Sequence, residues 1–289
     1  LLFASGAISR QGSVEAGTCV GDASPEARAR KGSTEMNLFR LDYLGDRFAI
    51  IDAPGAASFA ADGLAALEQA DIAIVVVDPA PARAALAEPT LRRIEALGVP
   101  HAIFVNKIDS AKGRIRDLLE ALQPMSTAPL IARQIPIRKG DQVTGFVDLA
   151  LERAFQYMPG KASERIDIPE DLAEREASER FHMLELLADH DDALLEQLLS
   201  DELPDLQTVF DDLCEETRAG LVVPVMFGSA LNGFGVRRLL KMLRHEAPCA
   251  SDTCKRLGTN GASVRIFKVA NGGAVGRLGH GRYHRCQRL

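Results

Sequence analysis

The chain has 289 residues, of which 46% are hydrophobic and 26% are charged, a composition that is ordinary for globular proteins. This length predicts two domains or one elaborated domain. The net charge of −6 indicates no overall basic surface for nucleic acid, and no apolar run reaches the roughly 18 residues of a membrane-spanning helix. No secretory signal is visible either. We therefore expect a cytoplasmic protein that makes no membrane contact and no sequence-specific contact to nucleic acid, and we expect no oligomer.

The N-terminal part of the chain predicts a helix end, a long loop and a hairpin. An apolar segment at the start is typical of the last turns of a helix. Residues 12–35 form a polar loop that carries Thr34, and loops of this length inside compact domains usually have a function. Strand patterns over residues 37–44 and 47–52, separated by a turn signal, predict a β-hairpin.

The second strand of this hairpin leads directly into a D-x-x-G segment, Asp52 to Gly55. A carboxylate at Asp52 can hold a water molecule of a Mg²⁺ ion, because this ion keeps several waters and takes few protein ligands. Gly55 can bring its backbone N–H close to a terminal phosphate, where a side chain would obstruct the approach. Taken alone, the segment is equally typical of a strand-to-turn junction with no chemical role.

Helix and strand patterns alternate in the next part of the chain. The patterns cover, in order, residues 59–70 (helix), 71–78 (strand), 80–97 (helix), 102–106 (strand) and 115–122 (helix). Such alternation predicts a mostly parallel sheet with helices on both faces. Ligands on these sheets bind at the carboxyl ends of the strands, where we expect Asp52 and Asn106 to lie.

The buried strand that ends at Asn106 continues into an N-K-x-D tetrad that closes with Asp109. The carboxylate of Asp109 can accept two parallel N–H bonds, from N1 and from the 2-amino group of guanine, an arrangement that adenine lacks. Asn106 can brace the loop, and the stem of Lys107 can lie along the plane of the base. The tetrad predicts guanine recognition, although a four-residue pattern alone also occurs by chance.

Residues 128–220 interrupt the alternation and predict an inserted α+β subdomain. Strand patterns cover residues 129–136 and 143–149, and helix patterns cover residues 170–188, 191–199 and 206–219. The charge runs on these helices are typical of solvated faces.

A last buried strand over residues 221–227 ends in a turn of small residues that contains Ser229, Ala230 and Leu231. A backbone N–H of this turn can donate to the guanine carbonyl oxygen and so complete the recognition that Asp109 begins. The three-residue pattern is uninformative alone, but it becomes specific when it follows a D-x-x-G and an N-K-x-D segment in this order.

The C-terminal part predicts a change of domain. We expect a helix over residues 235–243, a linker over residues 248–260 and a new β segment over residues 262–269. The basic residues 276–289 fit neither a strand nor a helix.

The ordered motifs D-x-x-G, N-K-x-D and S-A-L, with an insert before the last, resemble those of bacterial elongation factor G and related translational GTPases. The resemblance covers most of the chain. It implies a P-loop-NTPase-like GTP-binding domain over residues 1–127 and 221–247, an inserted subdomain over residues 128–220, and the start of a β-barrel domain over residues 261–289. It also implies GTP or GDP and Mg²⁺ as ligands, and the ribosome as the partner in translocation or ribosome recycling.

The resemblance assigns roles to the residues that match the motifs. Thr34 and, through a water molecule, Asp52 would hold Mg²⁺. The GTP-binding residues would be Asp52, Gly55, Asn106, Lys107, Asp109, Ser229, Ala230 and Leu231.

Three departures from the family pattern matter for activity. The sequence contains no G-x-x-x-x-G-K-[ST] loop, so we expect a chain that starts just after that loop and binds nucleotide poorly. Ala56 stands where the family has the histidine that positions the attacking water, so no catalytic residue is predicted. The later domains of the family do not follow, and the residues after Ala274 stop resembling it, as a shift of reading frame would produce.

Two other functions remain open from the sequence. One is a ribosome-protection or peptide-release-factor-like GTPase, which shares this nucleotide-binding domain. The other is a non-hydrolysing GTP-binding regulatory or scaffold protein, which Ala56 and the missing phosphate loop favour. An unrelated α/β protein would require that three ordered motifs coincide by chance.

Overall fold

The computed structural model describes residues 1–158, 160–200, 202–259 and 261–285. The α-helices are α1 (Leu2–Ser5), α2 (Pro25–Arg30), α3 (Ala60–Leu67), α4 (Glu88–Ala96), α5 (Ile115–Leu122), α6 (Glu170–Ala188), α7 (Asp192–Leu199), α8 (Leu206–Ala219), α9 (Val236–Glu246) and α10 (Ala250–Arg256). The β-strands are β1 (Asn37–Tyr43), β2 (Asp46–Asp52), β3 (Ala73–Val77), β4 (His101–Val105), β5 (Leu130–Ala132), β6 (Gln134–Lys139), β7 (Gln142–Asp148), β8 (Arg153–Gln156), β9 (Glu164–Ile166), β10 (Val223–Phe227), β11 (Ala262–Asn271) and β12 (Arg277–Arg285). The chain divides into two compact units, one formed by residues 72–248 and the other by the segments on either side.

A four-stranded parallel sheet forms the centre of the unit over residues 72–248, with its strands in the order β3, β4, β10, β5. The two middle strands are buried at every residue, as the apolar runs of parallel strands covered on both faces require. Helices flank the sheet, and α4 and α5 bury Leu91, Ile94 and Leu118 almost completely. The predicted parallel sheet covered by helices is confirmed.

The inserted subdomain has an antiparallel sheet in the order β6, β7, β8, β9 and a helical layer of α6, α7 and α8. One apolar cluster includes side chains from both layers. Ile135 and Val147 of the sheet, and Leu187 and Leu213 of the helices, are almost inaccessible to solvent within it. Burial of these faces against one another stabilises the insert, and the predicted α+β character is confirmed.

In this region one predicted strand differs from the structure, and one observed strand was not predicted. The single strand predicted over residues 129–136 is divided at Arg133, because β5 pairs with β10 in the parallel sheet whereas β6 pairs with β7 in the antiparallel sheet. The antiparallel part of the insert therefore begins after Arg133 and not at residue 128. No sequence pattern predicts β8, since its four residues show no alternation and only pairing with β7 makes them a strand.

The other compact unit contains two antiparallel hairpins. The predicted N-terminal hairpin is confirmed as β1 and β2, which pair along their whole length. These two strands form a sheet of their own, so the expectation that Asp52 follows a strand of the parallel sheet is wrong. The physical reason is that strands adjacent in sequence pair locally across a short turn.

The C-terminal part of this unit differs from expectation in two places. Helix α10 lies inside the predicted linker, and Asp252 caps it by accepting a hydrogen bond from the backbone N–H of Cys249. The basic tail, predicted as neither strand nor helix, contains β12, which pairs with β11. Gly281 permits this pairing, because an added Cβ there would lie 2.8 Å from the carbonyl oxygen of Arg265. Residues 286–289 of the tail lie outside the described residues.

No helix within the described ranges combines the length and apolar character that crossing a membrane requires.

The carboxylates on α8 predict a loss of stability as the pH rises. Glu216 is 4% exposed, and neither of its carboxylate oxygens has a hydrogen-bond partner among the described residues. Burial, followed by the charges of Asp212 and Asp191, raises the pKa of Glu216 to about 8. In the unfolded chain a glutamate titrates near its ordinary pKa of about 4.3. The stabilisation from the protonated form is therefore complete below that value and is lost as the pH rises through about 8.

We expect the melting temperature of the chain to fall between pH 5 and pH 8, and Glu216→Gln, which cannot ionise, to reduce this fall. Thermal unfolding followed by far-UV circular dichroism measures it. An equally steep decrease in the variant would contradict the assignment of the titration to Glu216.

Candidate functional site

The predicted base-recognition loop leaves the parallel sheet at the carboxyl end of β4. The backbone N–H of Asn106 donates to the carbonyl oxygen of Val77 at the end of β3, at 2.9 Å. The backbone N–H of Ile108 donates to the carbonyl oxygen of Gly228, just after β10, at 3.0 Å. Bonds to both neighbouring strand ends therefore fix the loop, and the fully buried side chain of Ile108 anchors it from below.

The N-K-x-D and S-A-L segments, which are far apart in sequence, meet at this edge of the sheet. The side-chain oxygen Oδ1 of Asn106 accepts a hydrogen bond from the backbone N–H of Ala230 at 2.9 Å. Ser229 is buried and donates its backbone N–H to the carbonyl oxygen of Phe234 at 2.9 Å. Leu231 is 78% exposed. Asn106 therefore joins the two loops, and it engages the N–H of Ala230, which is one of the backbone donors of this turn.

Small residues around the S-A-L turn are required by close approach of the backbone. An added Cβ at Gly228 would lie 2.2 Å from the carbonyl oxygen of Phe234 and 2.7 Å from the ring of Phe104. Gly235 has a φ of 72° and is the N-cap residue that precedes α9. Any side chain at Gly228 would displace the turn, so the position of Ser229 and Ala230 depends on that glycine.

One carboxylate oxygen of Asp109, Oδ1, is buried and has no hydrogen-bond partner among the described residues. A buried carboxylate oxygen without a partner is costly, and such atoms in native proteins usually have a functional reason. Two parallel N–H donors, as on guanine, would satisfy this carboxylate, so the residue present fits the ligand that the motif implies.

Asp78 is a member of this site that the sequence motifs did not identify. It follows β3, and its carboxylate accepts a hydrogen bond from Arg83 at 2.9 Å and lies 3.5 Å from the ammonium group of Lys107. Burial acts to raise the pKa of Asp78, but the hydrogen bond from Ala80 N–H and the interactions with Arg83 and Lys107 outweigh it and hold that pKa below its usual range. Its place at the end of the strand beside β4 was the only signal in the sequence.

Lys107 adopts a left-handed backbone conformation, with a φ of 59°. This conformation is uncommon for residues other than glycine and persists where the surrounding structure imposes it. Its side chain remains largely exposed while Asp78 holds the ammonium group. The stem of Lys107 is therefore accessible, and its charge is directed towards Asp78.

The predicted phosphate and magnesium residues lie in the other compact unit. Burial and the neighbouring carboxylate of Asp22 raise the pKa of Asp52, while a hydrogen bond from Asn37 opposes this shift. Asp22 also accepts hydrogen bonds from the side chains of Ser33 and Asn37, each at 3.1 Å. Thr34 follows Ser33 along the chain and is partly buried.

Asp22 is a second residue that sequence reasoning missed, because nothing in the polar loop distinguishes it from other acidic residues. Two neighbouring carboxylates offer the hard oxygen atoms that Mg²⁺ prefers. Within the described part of the chain, no group of three or more His, Cys, Asp or Glu could hold a metal ion by itself. An added Cβ at Gly55 would meet nothing within 4 Å, so its backbone remains open to a ligand.

Comparison with known proteins decides the family. A family model described as the elongation factor Tu GTP binding domain matches residues 1–249. The chain belongs to this GTP-binding family. Members of the family bind guanine nucleotides, in agreement with the geometry around Asp109.

Relatives of the chain carry elongation factor G names. The chain is 40% identical to the elongation factor G-like protein of Synechocystis sp. over 271 residues, which are 93% of this chain and 40% of that protein. It is 31% identical to elongation factor G 2 of Streptomyces coelicolor over 270 residues, which are 92% of this chain and 39% of that protein. A crystal structure of a protein from Thermus thermophilus has a TM-score of 0.86 and 28% identity, and the match covers 99% of this chain and 42% of that one. The predicted resemblance to elongation factor G-like translational GTPases is confirmed, and the chain spans about two fifths of the length of these relatives.

Proposed function

We propose that this chain provides the guanine-nucleotide-binding part of a cytoplasmic translational GTPase that couples GTP hydrolysis to ribosomal translocation or ribosome recycling. The observation that carries the proposal is the buried, unpartnered carboxylate oxygen of Asp109 beside the bonded Asn106 and Ala230, in a chain of a GTP-binding family. Residues 1–127 and 221–247 are assigned to the nucleotide-binding domain and residues 261–289 to the start of a β-barrel domain. Residues 128–220 are assigned to the insert, except that β5 belongs to the parallel sheet of the nucleotide-binding domain.

Each group in the proposed base-recognition site has a chemical role that its environment supports. Asp109 accepts from the base edge, Lys107 covers the base, and Asn106 fixes the S-A-L turn against the N-K-x-D loop. In the other compact unit, Asp52 and Thr34 are the residues that would hold Mg²⁺, together with Asp22, which is an electrostatic neighbour of Asp52. When bound, this ion supplies positive charge that neutralises the phosphates.

Displacement of a labelled nucleotide tests the proposal. The chain contains no Trp, so the fluorophore is placed on GDP and the full-length protein is titrated in the presence of Mg²⁺. We expect GTP to displace the label and ATP not to displace it, because only guanine offers the two donors that Asp109 accepts. Equal displacement by ATP, or the absence of binding, would contradict the proposed function.

Ala56 favours a second candidate function, a GTP-binding protein that regulates or scaffolds without hydrolysis. This residue directly follows the D-x-x-G segment, is exposed and has no polar group that could orient a water molecule. A ribosome-protection or peptide-release-factor-like GTPase is a further proposal within the family. The residues that would distinguish it from translocation factors are expected in the later domains.

Ala56→His is expected to raise ribosome-stimulated GTP turnover by at least about tenfold, since a positioned acid–base group typically contributes about 10²–10⁴-fold. Phosphate release in the presence of ribosomes measures the rate. Ala57→His, a change at the exposed neighbouring position, is the matched control and should leave the rate unchanged. Tight GTP binding with no turnover in either variant would instead favour the non-hydrolysing candidate.

A further inference from the structure

Arg138 of strand β6 forms hydrogen bonds from the inserted subdomain to the loop that follows Asp109. Its guanidinium group donates to the carbonyl oxygen of Ala111 at 3.0 Å and to the carbonyl oxygen of Gly113 at 2.8 Å. A third bond, to the carbonyl oxygen of Asp141 at 3.2 Å, holds the group against its own hairpin. One side chain therefore joins the insert to the segment directly behind the base-recognition tetrad.

The local geometry of the insert directs Arg138 towards this loop. The pairing between β6 and β7 shifts register between Ile137 and Arg138. Such irregularities reorient the side chain at which they occur, and they are frequent beside functional sites. Strand β7 also packs against the 3-10 turn Ile108–Ser110, so the insert supports the base loop from two neighbouring strands.

The loop depends on Arg138 because residues 111–114 form no regular secondary structure. Ala111 is 5% exposed, and buried backbone carbonyls need hydrogen-bond partners. The backbone N–H of Ala111 donates to Ile108, and that of Ser110 donates to Lys107. A displacement of Ala111 would therefore shift this single turn, and with it Asp109, whose Oδ1 atom is buried and without a hydrogen-bond partner among the described residues.

We propose that Arg138 is a positioning residue for guanine recognition, through which the inserted subdomain sets the orientation of the Asp109 carboxylate. The role rests on the proposed function, since it presumes that Asp109 receives the base. Arg138 does not touch the nucleotide. It fixes the two carbonyl groups that end the loop and thereby limits the orientations available to the carboxylate that does.

The ratio of GDP to IDP affinity distinguishes positioning from general stabilisation. Inosine lacks the 2-amino group, so the preference for GDP over IDP reports the second hydrogen bond to Asp109. In the full-length protein we expect Arg138→Met to lower this preference by roughly threefold to tenfold, a fraction of what one charge-assisted hydrogen bond supplies. Arg138→Lys keeps the charge and one donor direction, and it should restore part of the preference. Arg165→Gln, at an exposed position on the same sheet, is the matched control.

Hydrogen–deuterium exchange of the nucleotide-free protein provides a second measurement that does not need the ligand. Peptides covering residues 107–113 should exchange faster in Arg138→Met than in wild type, and at the wild-type rate in Arg165→Gln. Unchanged exchange would overturn the proposal, and so would an equal loss of GDP and IDP affinity that leaves their ratio constant. A wild-type protein that binds neither nucleotide would overturn the proposed function itself, whereas equal discrimination by wild type and Arg138→Met would overturn only the role of Arg138.

Discussion

Asp109→Asn is expected to lower GDP affinity by at least about a hundredfold, since each hydrogen bond to a charged group contributes about 1.5–3 kcal/mol. The amide replaces one carboxylate oxygen by a donor, which clashes with a donor on guanine. Xanthine carries an oxygen where guanine carries the 2-amino group, so preference should shift towards xanthosine diphosphate. Competition of labelled GDP by both nucleotides measures the effect.

The control for this experiment must make the same Asp-to-Asn change at a position outside the base-recognition loop. Asp167→Asn meets this requirement, because Asp167 is exposed in the insert. It should leave both affinities at their wild-type values. An unchanged base preference in Asp109→Asn would exclude Asp109 as the base-reading residue, even if overall affinity declined.

Glu246→Leu is expected to lower the free energy of unfolding by about 3–5 kcal/mol, since removing one partner of a buried pair leaves an uncompensated charge. The guanidinium of Arg133 is fully buried and lies 2.6 Å from the carboxylate of Glu246, which is also buried. The contact is made by Nη1 of Arg133, and its Nε and Nη2 atoms have no hydrogen-bond partner among the described residues, so Glu246 provides most of the compensation for the buried charge. Urea denaturation followed by circular dichroism measures the loss.

The double variant Arg133→Met/Glu246→Leu separates charge from packing. Replacing both members of a buried pair by apolar residues is often neutral or stabilising, so it should recover most of the stability. The exposed pair Arg114–Asp117 is the matched control, and removing it should cost less than about 1 kcal/mol. If the double variant is as unstable as Glu246→Leu, the loss comes from packing and not from the buried charge.

Local sequence signals were sufficient wherever neighbours along the chain decide the structure. Helix α5 was predicted at its observed limits, because Ile115, Leu118 and Leu122 recur with helical spacing on one face. The buried strand β4 and its N-K-x-D loop were equally clear, since an unbroken apolar run ends in polar residues. Asn106 and Asp109 could therefore be identified before the fold was known.

The pairing between segments that are distant in sequence could not be predicted from the sequence. Arg133 divides one apolar run between two sheets, and the tail beyond Gly276 becomes a strand only because β11 provides a partner. Asp22 and Asp78 likewise belong to their candidate sites only because folding brings them close to other residues, Ser33 for Asp22 and Lys107 for Asp78. No periodicity marks such residues, because their roles depend on the partner and not on the side chain alone.

The sequence by itself determined the class of fold, the order of the motifs and the candidate residues for guanine recognition, because each of these lies in a short stretch of chain. Only the tertiary structure decided that Asn106 bonds to Ala230, that Asp78 holds Lys107 and that Arg138 supports the loop behind Asp109. These contacts join residues between 25 and 124 positions apart. These contacts form only when whole strands and helices pack together. The free energy of that packing depends on residues far apart in sequence, so a local sequence pattern does not predict it.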